Sequence, residues 1–501
     1  MSRYLLGIDS GLTVTKAVIF DEEGRQRGVG SVNNVHGSPH PRWVQQDMKA
    51  VWEGCERAIR QALKEAKITG KEVVSIGITG HGDGVYLVDE KGAPTAPAIL
   101  SLDSRAEDIL QSWRDSGVAG ELTRLTGQRP FAAQSPPILA WFKENDPEVL
   151  EKTRQLLYVK DWLRYKLTGE YATDPTDASG GFTDIHTQDY SQETFPLYGL
   201  EDFREKLPPM VGCMEVSGEV SAKAAESTGL SAGTPVVGGA HDIDAAAIGV
   251  GCIAPGTLVA IAGTWSNNEV VSEEVTPGDG WLCRSFVTPG RWLNISGSPA
   301  SSANLEWFVR QLCPEEVKQA QKRGASPFDF VNEEVEAVLD EKSAVFYHPF
   351  LYGSPHGSEA SAGFFGVRGW HKRGHLLRAI LEGSVFNHKT HIEALRAGFE
   401  FGRVRLTGGG SKSGLWSQML ADAVGFPVEV TDAEEAGALG AAVLAGVGVG
   451  VYGSLEEAAG RSVRLLRTHE PEPGANGRLV EAYETYTALV DALEPIWPRL
   501  G

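Results

Sequence analysis

The segment Asp9-Ser-Gly-Leu-Thr-Val-Thr-Lys16 follows an apolar run and sets a carboxylate, a glycine, two threonines and a lysine close together. Glycine removes the Cβ that would block close approach, so Gly11, Thr13 and Lys16 can present backbone and side-chain donors to a phosphate. Taken alone, such a turn also joins ordinary hairpins. A second turn, Gly263-Thr264-Trp265-Ser266, lies about half the chain away. It strengthens the phosphate reading, because a paired clamp takes one hairpin from each of two domains. A third cluster runs Leu406-Thr-Gly-Gly-Gly-Ser-Lys-Ser-Gly414 before the helical spacing of Trp416 to Ala423. There Gly409, Gly410 and Ser413 stand where a strand, a glycine run and a helix N-terminus make an anion- or nucleotide-accepting corner. The pattern is neither GxGxxG nor GxxxxGK[ST], so neither a dinucleotide fold nor a P-loop is supported.

Phosphoryl transfer to an alcohol needs a carboxylate to accept the hydroxyl proton, a metal to bridge phosphate oxygens, and donors around the transferred group. Asp242 and Asp244, after the strand-like Pro235-Val-Val-Gly-Gly-Ala-His, are candidates for the base. Asp9 is the candidate for holding the metal, through water. A lone Asp at a strand end is otherwise a turn or helix cap. His81 and Asp83, in Ile78-Thr-Gly-His-Gly-Asp-Gly84, put polar groups after a buried strand, and Asp103 and Arg105 follow Ala98-Ile-Leu100. Asp83, Asp103 and Arg105 suit sugar hydroxyls, with loop salt bridging as the alternative. The pairs His371/His375 and His388/His391 have metal-like spacings but lack an HExxH glutamate and sit among Lys372, Arg373 and Lys389, so they read as solvated or structural.

The elements that must position these residues alternate. Tyr4 to Ile8 and Lys16 to Phe20 read as strands, Asp47 to Glu65 as an amphipathic helix, and Val73 to Ile78 as a strand, which makes the class α/β. Thr257 to Ile261 and Asn268 to Val271 repeat the unit of strand, small-residue turn and strand, predicting two homologous domains that face each other. The expected division is 1–245 and 246–501, joined by ordered chain, with the ligand in the cleft between them.

The 501 residues carry a formal net charge of -20, which excludes a surface built to track nucleic acid or an anionic membrane. Five scattered cysteines form no CxxC spacing, so a reducing cytoplasm is expected. The N-terminus reaches an acidic residue before a signal-peptide core could form. Ala436 to Val451, short and made mostly of Ala, Gly and Val, reads as a buried helix with a glycine-rich end rather than a membrane span.

In their order and spacing, the segments LLGIDSGLTVTKAVIFD, SIGITGHGDGVYLVD, GTPVVGGAHDIDAAAIGVG, IAGTWSNN, RAILEGSVFN, RLTGGGSKSGLWSQMLADAVGFPVEV and AGALGAAVLAG resemble the FGGY family of carbohydrate kinases, from Leu5 to about Ala459. The resemblance implies two actin-like, ribonuclease-H-like domains with ATP and Mg2+ in the interdomain cleft. It implies Asp242 as catalytic base, Asp9 as the metal-linked acid, and Gly11 with Thr13 as the first phosphate turn. Gly263 and Thr264 then form the second phosphate turn, Gly409, Gly410 and Ser413 the nucleotide corner, and Asp83 a sugar contact. Two departures stand out: Leu12 replaces the usual first hydroxyl of the turn, and Ser101 stands where many members carry an aromatic sugar-stacking residue. Within the family, Ala98 to Ala106, Gly263 to Trp265 and Pro299 to Phe308 look most like L-xylulose kinases, whereas Val159 to Pro175 and Gly80 to Gly84 look more like erythritol kinases. The implied substrate is a ketopentose such as L-xylulose, with erythritol or another polyol as alternative. A different class, an actin-like ATPase of chaperone or filament type, would share the fold without needing the polar residues around Asp83 and Asp103. A sugar-responsive regulator would carry a helix-turn-helix module. A homodimer is the assembly to test.

Overall fold

The computed structural model describes residues 3–342, 344–357 and 359–500. The apolar runs at the N-terminus build a mixed sheet from β1 (Tyr4–Ser10), β2 (Val14–Asp21), β3 (Gln26–Asn33), β4 (Val73–Gly80), β5 (Val216–Glu219), β6 (Pro235–Val237) and β7 (Ala240–His241). Its order is β3-β2-β1-β4-β6-β5, with β7 also pairing with β4. The first three strands form an antiparallel meander, β1, β4 and β6 run parallel, and β5 closes the edge antiparallel.

A second sheet repeats this plan. Its strands are β8 (Gly256–Ala262), β9 (Ser266–Ser272), β10 (Leu282–Ser285), β11 (Trp292–Ser298), β12 (Phe401–Thr407), β13 (Val428–Thr431) and β14 (Leu465–His469), in the order β10-β11-β9-β8-β12-β13-β14. Here β8, β12 and β13 are parallel, and β9, β11 and β14 run antiparallel to their neighbours. The repeat expected from two strand-turn-strand units is therefore a repeat of topology.

Helices fill the space around and between the sheets. Helix α1 (Met48–Ala66) starts where the Asp47 side chain accepts from the Lys49 amide and packs its apolar face, including Val51, Cys55, Ile59 and Leu63, on β2 and β3. Helix α2 (Val159–Thr168) lies beside β4. Helix α3 (Asp242–Gly249) runs across the expected division at residues 245 and 246, so the chain passes between the sheets through ordered structure. In the second half, α4 (Arg373–Arg396) backs β9 and β11, and α5 (Gly414–Val424) follows β12. Helix α6 (Ala436–Gly448) crosses back to pack on β1, β4 and α3.

The α3–α6 contact is made by small residues. Gly440 lies against the Ala245 carbonyl, where a Cβ would clash with backbone. The two helices fill an apolar layer that joins Leu5, Val18 and Phe20 of the first sheet to Val271 and Leu293 of the second through Ile248, Leu439 and Val443. Burying such side chains stabilises the fold by about 1.5–3 kcal/mol each. The stretch from Ala436 is thus a buried helix, as its composition predicts, and among the described residues no helix is long and apolar enough to cross a membrane.

Candidate active site

Parallel strands offer their carboxyl ends to ligands, and both sheets place their glycine turns there. In the first sheet Asp9 sits beside Thr79 and Thr79 beside Ala240; one row further on, Ser10, Gly80 and His241 align. The His81 amide donates to the Ser10 carbonyl at 3.0 Å and the Thr79 hydroxyl to the Ala240 carbonyl at 2.7 Å. These bonds bring the turn at Gly11, the loop at His81 and the start of α3 to one edge. In the second sheet the turn at Gly263 follows β8, and the glycine run follows the parallel neighbour β12. Gly408 and Gly410 lie against Ala262, the residue that opens the second turn.

The first turn is held from outside. The Asn34 side chain donates to the Gly11 carbonyl at 2.7 Å and its amide to the Thr13 carbonyl at 2.8 Å, leaving Thr13 exposed. Lys16, directly across the strand pair from Asp9, is not a free donor: its ammonium is 2.6 Å from the carboxylate of Glu435, the residue before α6. In the second turn the Ser302 amide donates to the Gly263 carbonyl at 3.1 Å, and Thr264 is exposed. Ser413 caps α5 by accepting from the Trp416 amide, while its hydroxyl donates to Asn332.

Asp9 faces the N-terminus of α6. Burial and the charge of Asp242 push its carboxyl up to about 7, against the pull of Lys16. Asp242 opens α3 and keeps 36% of its side-chain surface. Burial works to raise its pKa, but His241, with Nδ1 3.0 Å from Oδ1, holds it below the ordinary carboxylate value. Asp244, two residues on, projects to the other side of the helix and is 0% exposed, without a hydrogen-bond partner for either oxygen among the described residues. Burial pushes its pKa well up. Its burial makes it a poorer candidate base than Asp242, behind which the sequence reading ranks it. Glu269 on β9 is in the same state: fully buried, without a hydrogen-bond partner among the described residues, and raised by burial and by Asp244 and Asp242.

The expected sugar contacts part company. His81 is buried, with Nε2 3.3 Å from the Tyr86 hydroxyl, and burial lowers its pKa. Asp83 meets the guanidinium of Arg284 at 3.2 Å, so a residue of the second sheet closes on the first half's loop. Asp103 is committed elsewhere. One oxygen accepts from the Arg105 amide and Nε at 2.9 and 3.0 Å, the other from Arg105 Nη2 at 2.9 Å and the Val44 amide at 2.6 Å. Arg105 is in turn stacked 4.0 Å over Trp43. The loop salt bridge is the arrangement found.

Both histidine pairs are structural. His388 contacts Asn268 and Ser301, and His391 contacts Ser296 and Ser298, with burial lowering their pKa values to about 3 and about 4. His371 precedes α4 rather than sharing it with His375. The one acidic cluster of metal-like spacing among the described residues is instead Asp161, Asp174 and Asp177, which sequence reasoning did not single out. Lys160 fills it, 2.6 Å from Asp161, 2.9 Å from Asp177 and in contact with Asp174. His241, Asp177, Arg284, Glu435 and Asn34 were also missed. Only His241, adjacent to Asp242, carried a local signal.

The donor set suits a hard cation at Asp9, an oxygen ligand with no ion pair among the described residues in a field that Asp242 and Glu435 make negative. The glycine turns at the strand ends suit a polyphosphate. Residues 4–249 match the N-terminal domain, and residues 258–449 the C-terminal domain, of the FGGY family of carbohydrate kinases. The L-xylulose/3-keto-L-gulonate kinase of Escherichia coli K12 is 35% identical over 504 residues, covering 100% of this chain and 99% of its own. The erythritol kinase of Brucella abortus is 28% identical over 517 residues, covering 99% and 98%. The xylulose kinase structure from Lactobacillus acidophilus superposes over 100% of both chains with a TM-score of 0.90 at 20% identity. With both family domains matched in order and a relative 35% identical over the whole chain, this chain belongs to the FGGY family of carbohydrate kinases, phosphotransferases that use ATP and an alcohol acceptor.

Proposed function

We propose that the chain phosphorylates a primary hydroxyl of L-xylulose or a closely similar ketopentose, with erythritol as the second acceptor. The observation that carries the reaction is Asp242, a partly exposed carboxylate held low by His241 and within electrostatic reach of Asp9. The acceptor hydroxyl oxygen bonds to the γ-phosphorus of ATP as the bond from that phosphorus to the bridging oxygen breaks, and the hydroxyl proton passes to Asp242. Gly11, Thr13, Gly263 and Thr264 surround the transferring phosphates, and Gly409, Gly410 and Ser413 take the nucleotide. Mg2+ held near Asp9 would supply charge neutralisation on the phosphate oxygens. His81 and Asp83 line the sugar side. Lys16 and Asp103, whose charges are already paired, shape the phosphate and sugar walls rather than donate freely.

The ketopentose is preferred over the tetritol because identity to the L-xylulose relative is 35% against 28% to the erythritol kinase. The same reading takes 1–245 as the sugar-binding half, 246–501 as the nucleotide-binding half, a homodimer as the assembly and the cytoplasm as the location; the five buried free cysteines agree with a reducing compartment. An ATP-coupled screen over ketopentoses, tetritols, glycerol and keto-acid sugars decides the acceptor. Turnover on erythritol but not L-xylulose would reverse the preference. ATP hydrolysis indifferent to every polyol would reopen the actin-like ATPase reading.

A further inference from the structure

The residue before the base is placed as carefully as the base itself. His241 ends β7, is buried, and has its amide fixed by the Thr176 hydroxyl at 2.8 Å. On one edge of the ring, Nδ1 lies 3.0 Å from Asp242 Oδ1 and 3.3 Å from the Ile243 amide, which donates to Nδ1 when the ring is neutral and to the Asp242 carboxylate when Nδ1 carries the proton. The opposite edge, Cδ2 and Nε2, fills the space that a Gly82 side chain would occupy. Asp177 Oδ1 comes within 3.0 Å of that same point and has no hydrogen-bond partner among the described residues, although its other oxygen lies 2.9 Å from Lys160. The imidazole therefore stands between two carboxylates, one at the reacting edge and one behind.

We propose that His241 is the positioning residue of the phosphoryl-transfer base: backed by Asp177 across Gly82, its imidazolium occupies Asp242 Oδ1 and leaves the second carboxylate oxygen for the acceptor hydroxyl. This rests on Asp242 being the base. A carboxylate at the mouth of a cleft can rotate, and a misplaced base costs rate even when its chemistry is intact. A charge-assisted N–H···O bond of 3.0 Å removes that freedom. The titratable groups around the ring come from several elements: Asp242 and Asp244 from α3, Asp177 from the turn Pro175–Ala178, His81 and Asp83 from the loop after β4, and Arg284 from β10. Burial raises Asp177 to about 7 and Asp244 well up, so Asp242 is the carboxylate that charges the ring. Burial alone would strip the ring of its proton, but Asp242 raises it to about 9. A charged His241 also holds the Asp242 carboxyl below its ordinary value.

The test uses the full chain with His241→Asn, which keeps a donor near the Nδ1 position without the charge, beside Asp242→Asn. Nitrogen-15 histidine spectra of the wild type should show His241 as an imidazolium at neutral pH, and Asp242→Asn should discharge it. His241→Asn should lower kcat on the order of 10- to 100-fold while changing the sugar KM by no more than about two-fold. The acid limb of kcat/KM should move upward by about one pH unit or more, because the base has lost its cation. A neutral His241 in the wild type at neutral pH overturns the inference, even if the variant fails to fold. So does a His241→Asn profile that superimposes on the wild type while Asp242→Asn is inactive. If Asp242→Asn itself retains turnover, the base assignment fails instead, which separates the two readings.

Discussion

The Asp9 carboxylate lies directly against the backbone of Gly437: a methyl group there would stand 2.5 Å from Oδ2. One residue is on the first strand and the other in the first turn of α6, which belongs to the other half of the chain. The contact lets a helix N-terminus face Asp9, the acid proposed to hold Mg2+, and couples it to the seating of α6 between the sheets.

Gly437→Ala should therefore displace Asp9 while improving the local helix propensity. The expected result is a fall in kcat of about 10- to 100-fold, read in an ATP-coupled assay, with the thermal midpoint unchanged or raised by the helix propensity gain. A variant with wild-type turnover would show that Asp9 does not need this seat.

Asp9 also sets a pH dependence. Its metal-free carboxyl sits at about 7, so it is increasingly protonated as the pH falls through that value. On the proposal that Asp9 holds Mg2+, its carboxyl must be deprotonated to do so, and binding of Mg2+ with nucleotide should weaken below about pH 7 and release a proton. Calorimetry in two buffers of different ionisation enthalpy should show proton release at acid pH that fades in alkali, and Asp9→Asn should abolish it.

Asp244 and Glu269 make the opposite kind of statement, about stability. Their folded pKa values are raised well above 3.8 and 4.5, so above those values the native state binds more protons than the unfolded chain. With that sign, stability falls as the pH rises through the interval between the unfolded and folded values. Asp244→Asn and Glu269→Gln, which mimic the neutral acids, should raise the thermal midpoint at mildly alkaline pH and leave it near wild type at low pH. Scanning calorimetry across pH checks this, and a loss of stability at all pH values would contradict it.

Lys160 is the charge that lets Asp161, Asp174 and Asp177 be buried together. Lys160→Met removes the only cation in contact with all three among the described residues and should cost on the order of 3–5 kcal/mol in urea unfolding. Because an ammonium already fills the cluster, EDTA should not lower the thermal midpoint of the wild type. A chelator effect would mean that an ion competes with Lys160 for the site.

The local elements were legible in the sequence because their causes are local. Apolar runs bounded by acidic turns gave β1, β2 and β4; Asp47 before a helical period gave α1; the glycine run before Trp416 gave the β12–α5 corner; and the small-residue stretch at Ala436 gave a buried helix. The repeat of strand, turn and strand already carried the duplicated architecture. Tertiary structure alone decided which charges remain free. Lys16 is paired with a residue 419 positions away, Asp83 with one 201 positions away, and Asp103 is consumed by Arg105 and the Val44 amide. Residue type and local spacing state what a side chain is able to bond. Which bond it makes depends on what the packing of the two sheets and of α3 against α6 brings within 3 Å, and that proximity leaves no trace in the neighbouring sequence.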